Sequence, residues 1–505
     1  MDTSKNVKKA VIVGAGPVGC LSALALAKQG WKVEIYEGRP DMREPASKAN
    51  SSLRSINLAI SSRGICAIRA IDPDAANRFL ENVIPMKGRM IHLENGKQSS
   101  QLYDRDGQCI NSIDRALLNE GLLEEVLARP EITVYFEHKC IAADFDSKVL
   151  TFCNVSPTNG EADVKVNFDF CIGADGSYSI VRRQLMRYVR MDYQQTYIPH
   201  EYLELRMPAG KDPKGDPIFL LDPNHLHIWP RHSFMLIALP NKDKSFTCTL
   251  FAPTADFEKL SDAREALKWF GQQFPDALPL IGEKSVFDSF QNNPRSALIA
   301  VKANPYHYKD RAIILGDAAH SMVPFFGQGL NCGLEDVRVL DVVLRMANVS
   351  PIVKQGASLS SIDVQLEEAL QKYTESRHKD LIAISDLAMA NYVEMRHSVA
   401  TPSYLLRRAL NNFFSRLTTS TNVMPTSVEQ RLSHTSFPSS PMTWIPLYTM
   451  VTFRPDISYH TARQKAEWQN MIISRLGWWS SILFITGLSF GVLKKLDKRI
   501  IEVLA

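Results

Sequence analysis

The chain has 505 residues, 45% hydrophobic and 22% charged, which excludes disordered and fibrous classes and supplies core for about two to three domains. Its 58 basic and 54 acidic residues leave a formal charge of +4 spread along the sequence, so nothing singles out nucleic acid as a partner. Eight cysteines with no CxxC pair and no regular spacing are expected as free thiols in a reducing compartment.

The lysine-bearing N-terminus runs straight into the apolar stretch Ala10 to Val13, so it is not a cleavable secretory signal. That stretch predicts a strand, followed by a glycine-rich turn, an alanine- and leucine-rich helix to Gln29 and a second strand from Lys32 to Tyr36: a βαβ unit of a parallel sheet. Gly14, Gly16 and Gly19 form GxGxxG between strand and helix. The first glycine serves the tight turn, the second lets a pyrophosphate approach the backbone, and the third permits close helix packing. Glu37, eighteen residues on at the tip of the second strand, is placed to accept hydrogen bonds from ribose hydroxyls. It would repel a 2′-phosphate, which favours FAD or NAD over NADP. Residues 200 to 300 alternate in segments such as His225 to Trp229, Phe234 to Leu239 and Phe246 to Phe251, predicting an antiparallel sheet. Two more strand-to-turn signals end in Asp175-Gly176, within FDFCIGADGSYSIVRRQL, and in Gly316-Asp317, within RAIILGDAAHSMVPFFGQGLN. The second of these resumes the first domain after the sheet, so the architecture is discontinuous. From Gln365 the pattern turns helical, with Leu366, Leu370, Tyr373, Leu381, Ile384, Leu387, Ala388 and Tyr392 as its apolar stripe. A Ser-, Thr- and Pro-rich connection covers Leu417 to Pro441.

The three fingerprints, in this order, resemble the class A flavin-dependent aromatic hydroxylases, the family of para-hydroxybenzoate hydroxylase. The resemblance implies an α/β fold: a Rossmann-like FAD-binding domain (1–190 and 300–360), an antiparallel-sheet substrate domain (191–299, with 80–110 contributing) and a C-terminal helical region (361–475). It implies FAD as cofactor, with Asp317 holding the ribityl chain and Asp175 supporting both FAD and the reductant. NADPH would bind briefly at the surface, and O2 would react with the reduced flavin to give a C4a-hydroperoxide that hydroxylates an electron-rich ring. Reduced flavin carries negative charge near N1 and C2, which the N–H groups of Gly327, Gly329, Leu330 and Asn331 at a helix start would face. Pro324 would line the oxygen-reaction face, with Phe325 and Phe326 excluding water.

Within that family, RSINLAISSRG (Arg54 to Gly64), PMKGRMIH (Pro85 to His92), QLYDRDG, NYVEMRH and IPLYTMVTF resemble the kynurenine-hydroxylating branch. L-Kynurenine is therefore the implied substrate, with Arg89, Tyr103, Asn391 and Tyr448 at its polar end, and Arg89 suited to a bidentate pair with the carboxylate. The resemblance also assigns Val18, Arg39, Ala59 and Arg115 to FAD. Asp104 stands where related sequences more often carry glycine, which bears on the loop around Tyr103. No acid or base is nominated, because the aniline nitrogen of kynurenine already donates electrons into the ring. Another aromatic acid or a quinone precursor remains an alternative acceptor, and a membrane-tethered flavin scaffold is the alternative from another class.

Three features invite other readings. His320 is expected as a hydrogen-bonded structural group. His225, His227 and His232 lack a carboxylate or cysteine at ligand spacing and are expected on a satisfied sheet surface, so no metal is assigned. Cys332 has no evident activating partner. At the C-terminus, no charge falls between Arg475 and Lys494. The run LGWWSSILFITGLSFGVL spans roughly 27 Å as a helix and is followed by Lys494, Lys495, Lys498 and Arg499. With Trp478 and Trp479 at one edge it predicts a membrane helix over 476–494. By resemblance the membrane is the mitochondrial outer membrane, with the catalytic part facing the cytosol.

Overall fold

In the computed structural model, which describes residues 7–45, 47, 57–104, 106–155, 163–260, 262–353, 361–396, 399, 401–418 and 443–475, the apolar run Lys9–Val13 lies inside a six-stranded sheet. Its neighbours are Lys32–Tyr36 and Phe170–Gly173, both parallel to it, and Ala312–Ile314 continues the parallel order beyond the latter. Buried on both faces, these strands are mostly hydrophobic, with Glu34 of Lys32–Tyr36 a buried exception. Their shared direction brings Gly14, Glu37, Asp175 and Gly316, each just past a strand end, to one edge of the sheet, where doubly wound folds bind ligands.

A seven-stranded sheet forms the second body, in the order Ser296–Asn304, Asp192–Met207, Phe246–Pro253, Phe234–Pro240, His225–Arg231, Gly88–His92, Gln98–Leu102. It is antiparallel except where His225–Arg231 meets Gly88–His92. The alternating pattern predicts one solvated face, but Phe246–Pro253 is buried at seven of its eight positions. Four helices cause this: Thr254–Lys259, Ala263–Gln273, Leu278–Ile281 and Glu283–Asn292. Phe270, Phe274, Ile281 and Val286 on these helices pack against Leu203, Leu236 and Leu250 of the sheet. Met235, Phe251 and Ile228 join the main core. The local cause is legible in Asp262, whose carboxylate accepts from Arg264 N (2.7 Å) and Glu265 N (3.2 Å) as a helix cap.

Val364–Arg396 is a helix of 33 residues, about 50 Å long, that buries Leu366, Leu370, Tyr373, Leu381, Ile384, Ala388 and Tyr392. Most of Leu417 to Pro441, and all of 476–494 with its predicted membrane helix, lie outside the described residues. Among the described residues no helix is long and apolar enough to cross a membrane.

Of the three histidines expected on the sheet surface, His232 is exposed and His225 half-buried, whereas His227 lies inside. His227 is buried, and its Nε2 donates to Asp222 O (2.9 Å), so its Nδ1 accepts from His92 Nε2 (2.8 Å). His92 faces Asp276 at 3.3 Å, and His225 faces Asp222 at 2.7 Å. Burial pushes His227 down to about 4. An unfolded histidine titrates near 6.5, so the unfolded chain binds the extra proton first as pH falls. The stability contributed by neutral His227 is therefore complete above pH 6.5 and is lost as pH drops towards 4, an effect of about 3 kcal/mol. Urea midpoints at pH 7 and pH 4.5 should differ markedly in the wild type and much less in His227→Gln; equal differences would remove His227 as the cause.

Candidate active site

The phosphate turn is built from close backbone approaches. Gly14 has φ +104°, and a Cβ there would lie 2.5 Å from Ala174 O; one on Gly19 would lie 1.9 Å from Gly14 O. A Cβ on Gly16 meets nothing within 4 Å, so the open side of the turn is at Gly16. Gly16 is also the N-cap of Pro17–Lys28 and offers no side chain to its first-turn N–H groups, which leaves a cradle suited to phosphate. Val18 packs where a Cβ on Gly316 (3.0 Å) or Gly333 (2.8 Å) would intrude, so the first and third motifs touch.

Glu37 accepts from Ala15 N (2.8 Å) and from Arg39 N (3.0 Å) and Nε (2.8 Å). Burial alone would raise its carboxyl, but the Arg39 pair and the two backbone donors outweigh that and hold it below its ordinary value. It remains an anion with lone pairs left for ribose. Asn119, which the sequence does not single out, donates to Ala15 O (3.2 Å) from the Arg115–Leu127 helix and fixes the turn from outside. Arg115 is exposed at the start of that helix, next to its Asp114 cap.

Asp175 does two things. Its Oδ2 accepts from Ile180 N (2.7 Å) and Val181 N (3.1 Å), opening the Ile180–Leu185 helix, while Oδ1 is buried without a partner. Burial pushes its carboxyl up. Asp317 is exposed at the same edge, within 3.5 Å of Ser177 Oγ. A glycine cradle, an orphan acceptor and an exposed acid on one sheet edge fit a dinucleotide such as FAD.

At the flavin end, Pro324–Phe326 forms a single 3₁₀ turn, Gly327 takes φ +65°, and Gly329–Met346 begins with no side-chain cap from Gln328. Gly329 and Leu330 open this helix. Asn331 is spent on bracing: its Oδ1 accepts from Ser61 N (2.8 Å), and its Nδ2 donates to Ala59 O (2.8 Å) and Gly327 O (2.6 Å). Pro324 is exposed, while Phe325 stacks on Tyr392 (4.0 Å) and Phe326 on Tyr448 (5.6 Å).

Arg89, Tyr103, Asn391 and Tyr448 come from four separate elements and line one cavity of about 970 Å³ together with Phe326 and Glu394. Tyr103 and Tyr448 stack at 4.7 Å, and the Arg89 guanidinium lies 5.1 Å from the Tyr448 ring and 5.7 Å from the Tyr103 ring. Arg89 is only 6% exposed, yet among the described residues its ion pair, to Glu394, is long at 3.5 Å, and its Nε makes no hydrogen bond. The buried Tyr103 hydroxyl faces Tyr448 and Arg89 but makes no hydrogen bond of ordinary geometry among the described residues. A buried cation and a buried hydroxyl left unsatisfied together are costly unless an anion completes them. Burial also pushes the Tyr103 and Tyr448 hydroxyls up, so both stay protonated donors. Asn391 Nδ2 is taken by Phe325 O (2.6 Å). Asp104 holds the loop after Tyr103 by accepting from Asp106 N (3.2 Å) and Gln108 Nε2 (3.2 Å).

Two lining groups escape sequence reasoning. Glu394 follows Asn391 by three residues on the same helix, a spacing that places both on one face and is a usable signal. Tyr404, which donates to Glu394 Oε1 (3.1 Å), comes from the Pro402–Thr418 helix and has no such signal.

His320 bonds Asp336, as a structural histidine should. With Cys332 these two offer ligand atoms within 4.8 Å of one another, but Asp336 is already paired with Arg377 (2.9 Å) and burial pushes the Cys332 thiol well up, away from the thiolate a metal needs.

A family profile described as an FAD binding domain matches residues 8–349. The kynurenine 3-monooxygenase of Cryptococcus neoformans var. neoformans serotype D (strain B-3501A) is 46% identical over 493 residues, covering 94% of this chain and 95% of its own. That of Yarrowia lipolytica is 45% identical with the same coverages, and that of Saccharomyces cerevisiae is 40% identical, covering 95% of each chain. Among solved structures, 2-methyl-3-hydroxypyridine-5-carboxylic acid oxygenase superposes with a TM-score of 0.57 at 20% identity, covering 79% of this chain and 95% of that one. CtdE, solved with FAD and substrate, gives 0.57 at 16%, covering 77% and 90%, and these two likenesses carry the fold. Two thirds of the chain under the FAD profile, and near-complete alignment at 40–46% identity, place it in the kynurenine 3-monooxygenase family of FAD-dependent hydroxylases.

Proposed function

We propose that the chain is an FAD-dependent monooxygenase that uses NADPH and O2 to convert L-kynurenine to 3-hydroxy-L-kynurenine. The observation that carries the substrate is the unfinished polar cluster of Arg89 and Tyr103, which asks for a carboxylate. In this reading Arg89, Tyr103 and Tyr448 hold the substrate carboxylate, the Asn391 amide oxygen and the Glu394 carboxylate face its ammonium, and Phe326 packs along the ring. The residues assigned to FAD in this reading are Gly14, Gly16, Val18, Gly19, Glu37 with Arg39, Ala59, Arg115, Asp175, Asp317, Gly329, Leu330 and Asn331. When bound, FAD supplies the activation of O2 that ring hydroxylation requires. The chain itself binds and orients the substrate, aims the first-turn N–H groups of Gly329–Met346 at the cofactor, and keeps water out with Phe325 and Phe326 around Pro324. It need not remove a proton to activate an aniline ring.

The test is NADPH oxidation by the purified yellow protein with and without L-kynurenine, with product mass. Stimulation and a product one oxygen heavier are expected. Stimulation that yields only hydrogen peroxide would transfer the reading to another aromatic acid or a quinone precursor.

Residues 476–494 serve, in the same proposal, as a membrane anchor in the mitochondrial outer membrane, with the catalytic part on the cytosolic side. The support is the uncharged stretch with its tryptophan edge and basic end. The Pro402–Thr418 helix adds to it by exposing Leu406, Phe413 and Leu417 on a helix that carries Arg407, Arg408 and Arg416 and no acid. Full-length protein should resist alkaline carbonate extraction from mitochondria and a chain ending at Arg475 should not; release of both would overturn the anchor.

A further inference from the structure

Arg63 is fully buried on the Ser62–Ile71 helix, and its guanidinium is spent on the C-terminal segment. Nε donates to Val451 O (2.7 Å), and Nη2 donates to Met450 O (3.2 Å), Arg454 O (3.1 Å) and Ile457 O. The Tyr459 ring lies 4.0 Å from the guanidinium. Met450 and Val451 lie in the last turn of the Leu447–Phe453 helix, and Arg454 and Ile457 follow it, Arg454 O also accepting from Ile457 N (3.0 Å); carbonyls at a helix end need such outside donors. A helix of seven residues has little stability of its own. What fixes its direction is the guanidinium that gathers its end, and Tyr448 sits in its first turn.

The other side of Arg63 leads to the flavin. Nη1 pairs with Glu335 (2.8 Å) on the Gly329–Met346 helix, one turn beyond Asn331, whose side chain braces Ala59 and Ser61 just ahead of Arg63. Tyr459 OH donates to Gln328 Oε1 (3.1 Å) at the start of the same helix. One arginine thus ties the frame of the cofactor site to the segment that brings Tyr448 onto Arg89.

We propose that Arg63 is a positioning residue for substrate binding: by holding the four carbonyls around the end of the Leu447–Phe453 helix, it sets Tyr448 against Arg89 and Tyr103. This rests on the reading of Tyr448 as a carboxylate ligand. Glu335 also receives Arg338 (2.8 Å) and Arg377 (3.0 Å), so removing Arg63 does not strand it, and the variants are expected to fold.

The experiment titrates L-kynurenine into FAD-loaded full-length protein through the flavin absorbance. Arg63→Lys keeps a cation beside Glu335 but cannot fan donors over four carbonyls; Arg63→Met removes the donors altogether. Both should retain stoichiometric FAD and raise the Kd for L-kynurenine at least tenfold. On a Tyr448→Phe background, Arg63→Lys should cost less than threefold more, because the two changes act through one contact. An unchanged Kd in yellow Arg63→Lys, full additivity with Tyr448→Phe, or loss of FAD from both Arg63 variants would each overturn the proposal. If Tyr448→Phe alone leaves affinity unchanged, the ligand role of Tyr448 fails instead, and Arg63 with it.

Discussion

Arg89→Ala is expected to raise the Kd for L-kynurenine by about 30-fold to several thousandfold, corresponding to roughly 2–5 kcal/mol, the range for removing one partner of a buried charge pair. The side chain is nearly inaccessible, walled by two tyrosine rings, and its ionic partner among the described residues stands at 3.5 Å, so little there competes with a bound carboxylate. The loss should be confined to substrate. Arg89 lies in the second sheet, on the strand next to its Gln98–Leu102 edge and apart from the glycine turn, so the variant should be purified yellow. Equilibrium titration decides it: an affinity within threefold of wild type in FAD-loaded protein would remove Arg89 from the carboxylate.

The opposite pattern is expected for Gly19→Ala. An added methyl would be placed 1.9 Å from Gly14 O and 3.1 Å from Gly14 C, backbone atoms that cannot swing aside as a side chain would. The helix must then back away from the strand, at a cost of at least about 3 kcal/mol, and the phosphate cradle opens with it. The variant should be purified colourless or lose FAD on gel filtration. Gly16→Ala is the internal control, because nothing of the protein lies within 4 Å of its added methyl. It should fold with near-normal stability and lose affinity only for the dinucleotide. If Gly19→Ala binds FAD as tightly as Gly16→Ala, the close packing of strand and helix is not what holds the site.

The cofactor half of the site was legible because its chemistry is local. Strand, glycines and terminal acid follow one another within thirty residues, and each constraint, a positive φ at Gly14 or a burial run in Lys9–Val13, is written where it acts. The substrate half was legible only through resemblance. Arg89 sits in a strand whose pattern says nothing of the two rings above it, and Tyr448 reads as core until the long Val364–Arg396 helix and the first-turn geometry of Leu447–Phe453 bring it across. The helices of 254–292 were hidden behind strand periodicity, although Asp262 announced one of them. Asn331 was placed correctly in the chain but does more than offer an N–H, since bonds to Ala59 and Ser61 depend on residues some 270 positions earlier. Arg63 and Tyr404 carry no motif; their meaning exists only in three dimensions.

The distribution of the pocket along the chain sets an order of assembly. The strands and helices that cradle the dinucleotide are complete by Met346, whereas the wall that holds Tyr448 is made about a hundred residues later, near the end of the described chain. During synthesis the cofactor frame therefore emerges first and the substrate chamber is closed last. A prematurely terminated product would carry the cradle without the chamber, so the position of Tyr448 makes substrate recognition a property of the finished polypeptide.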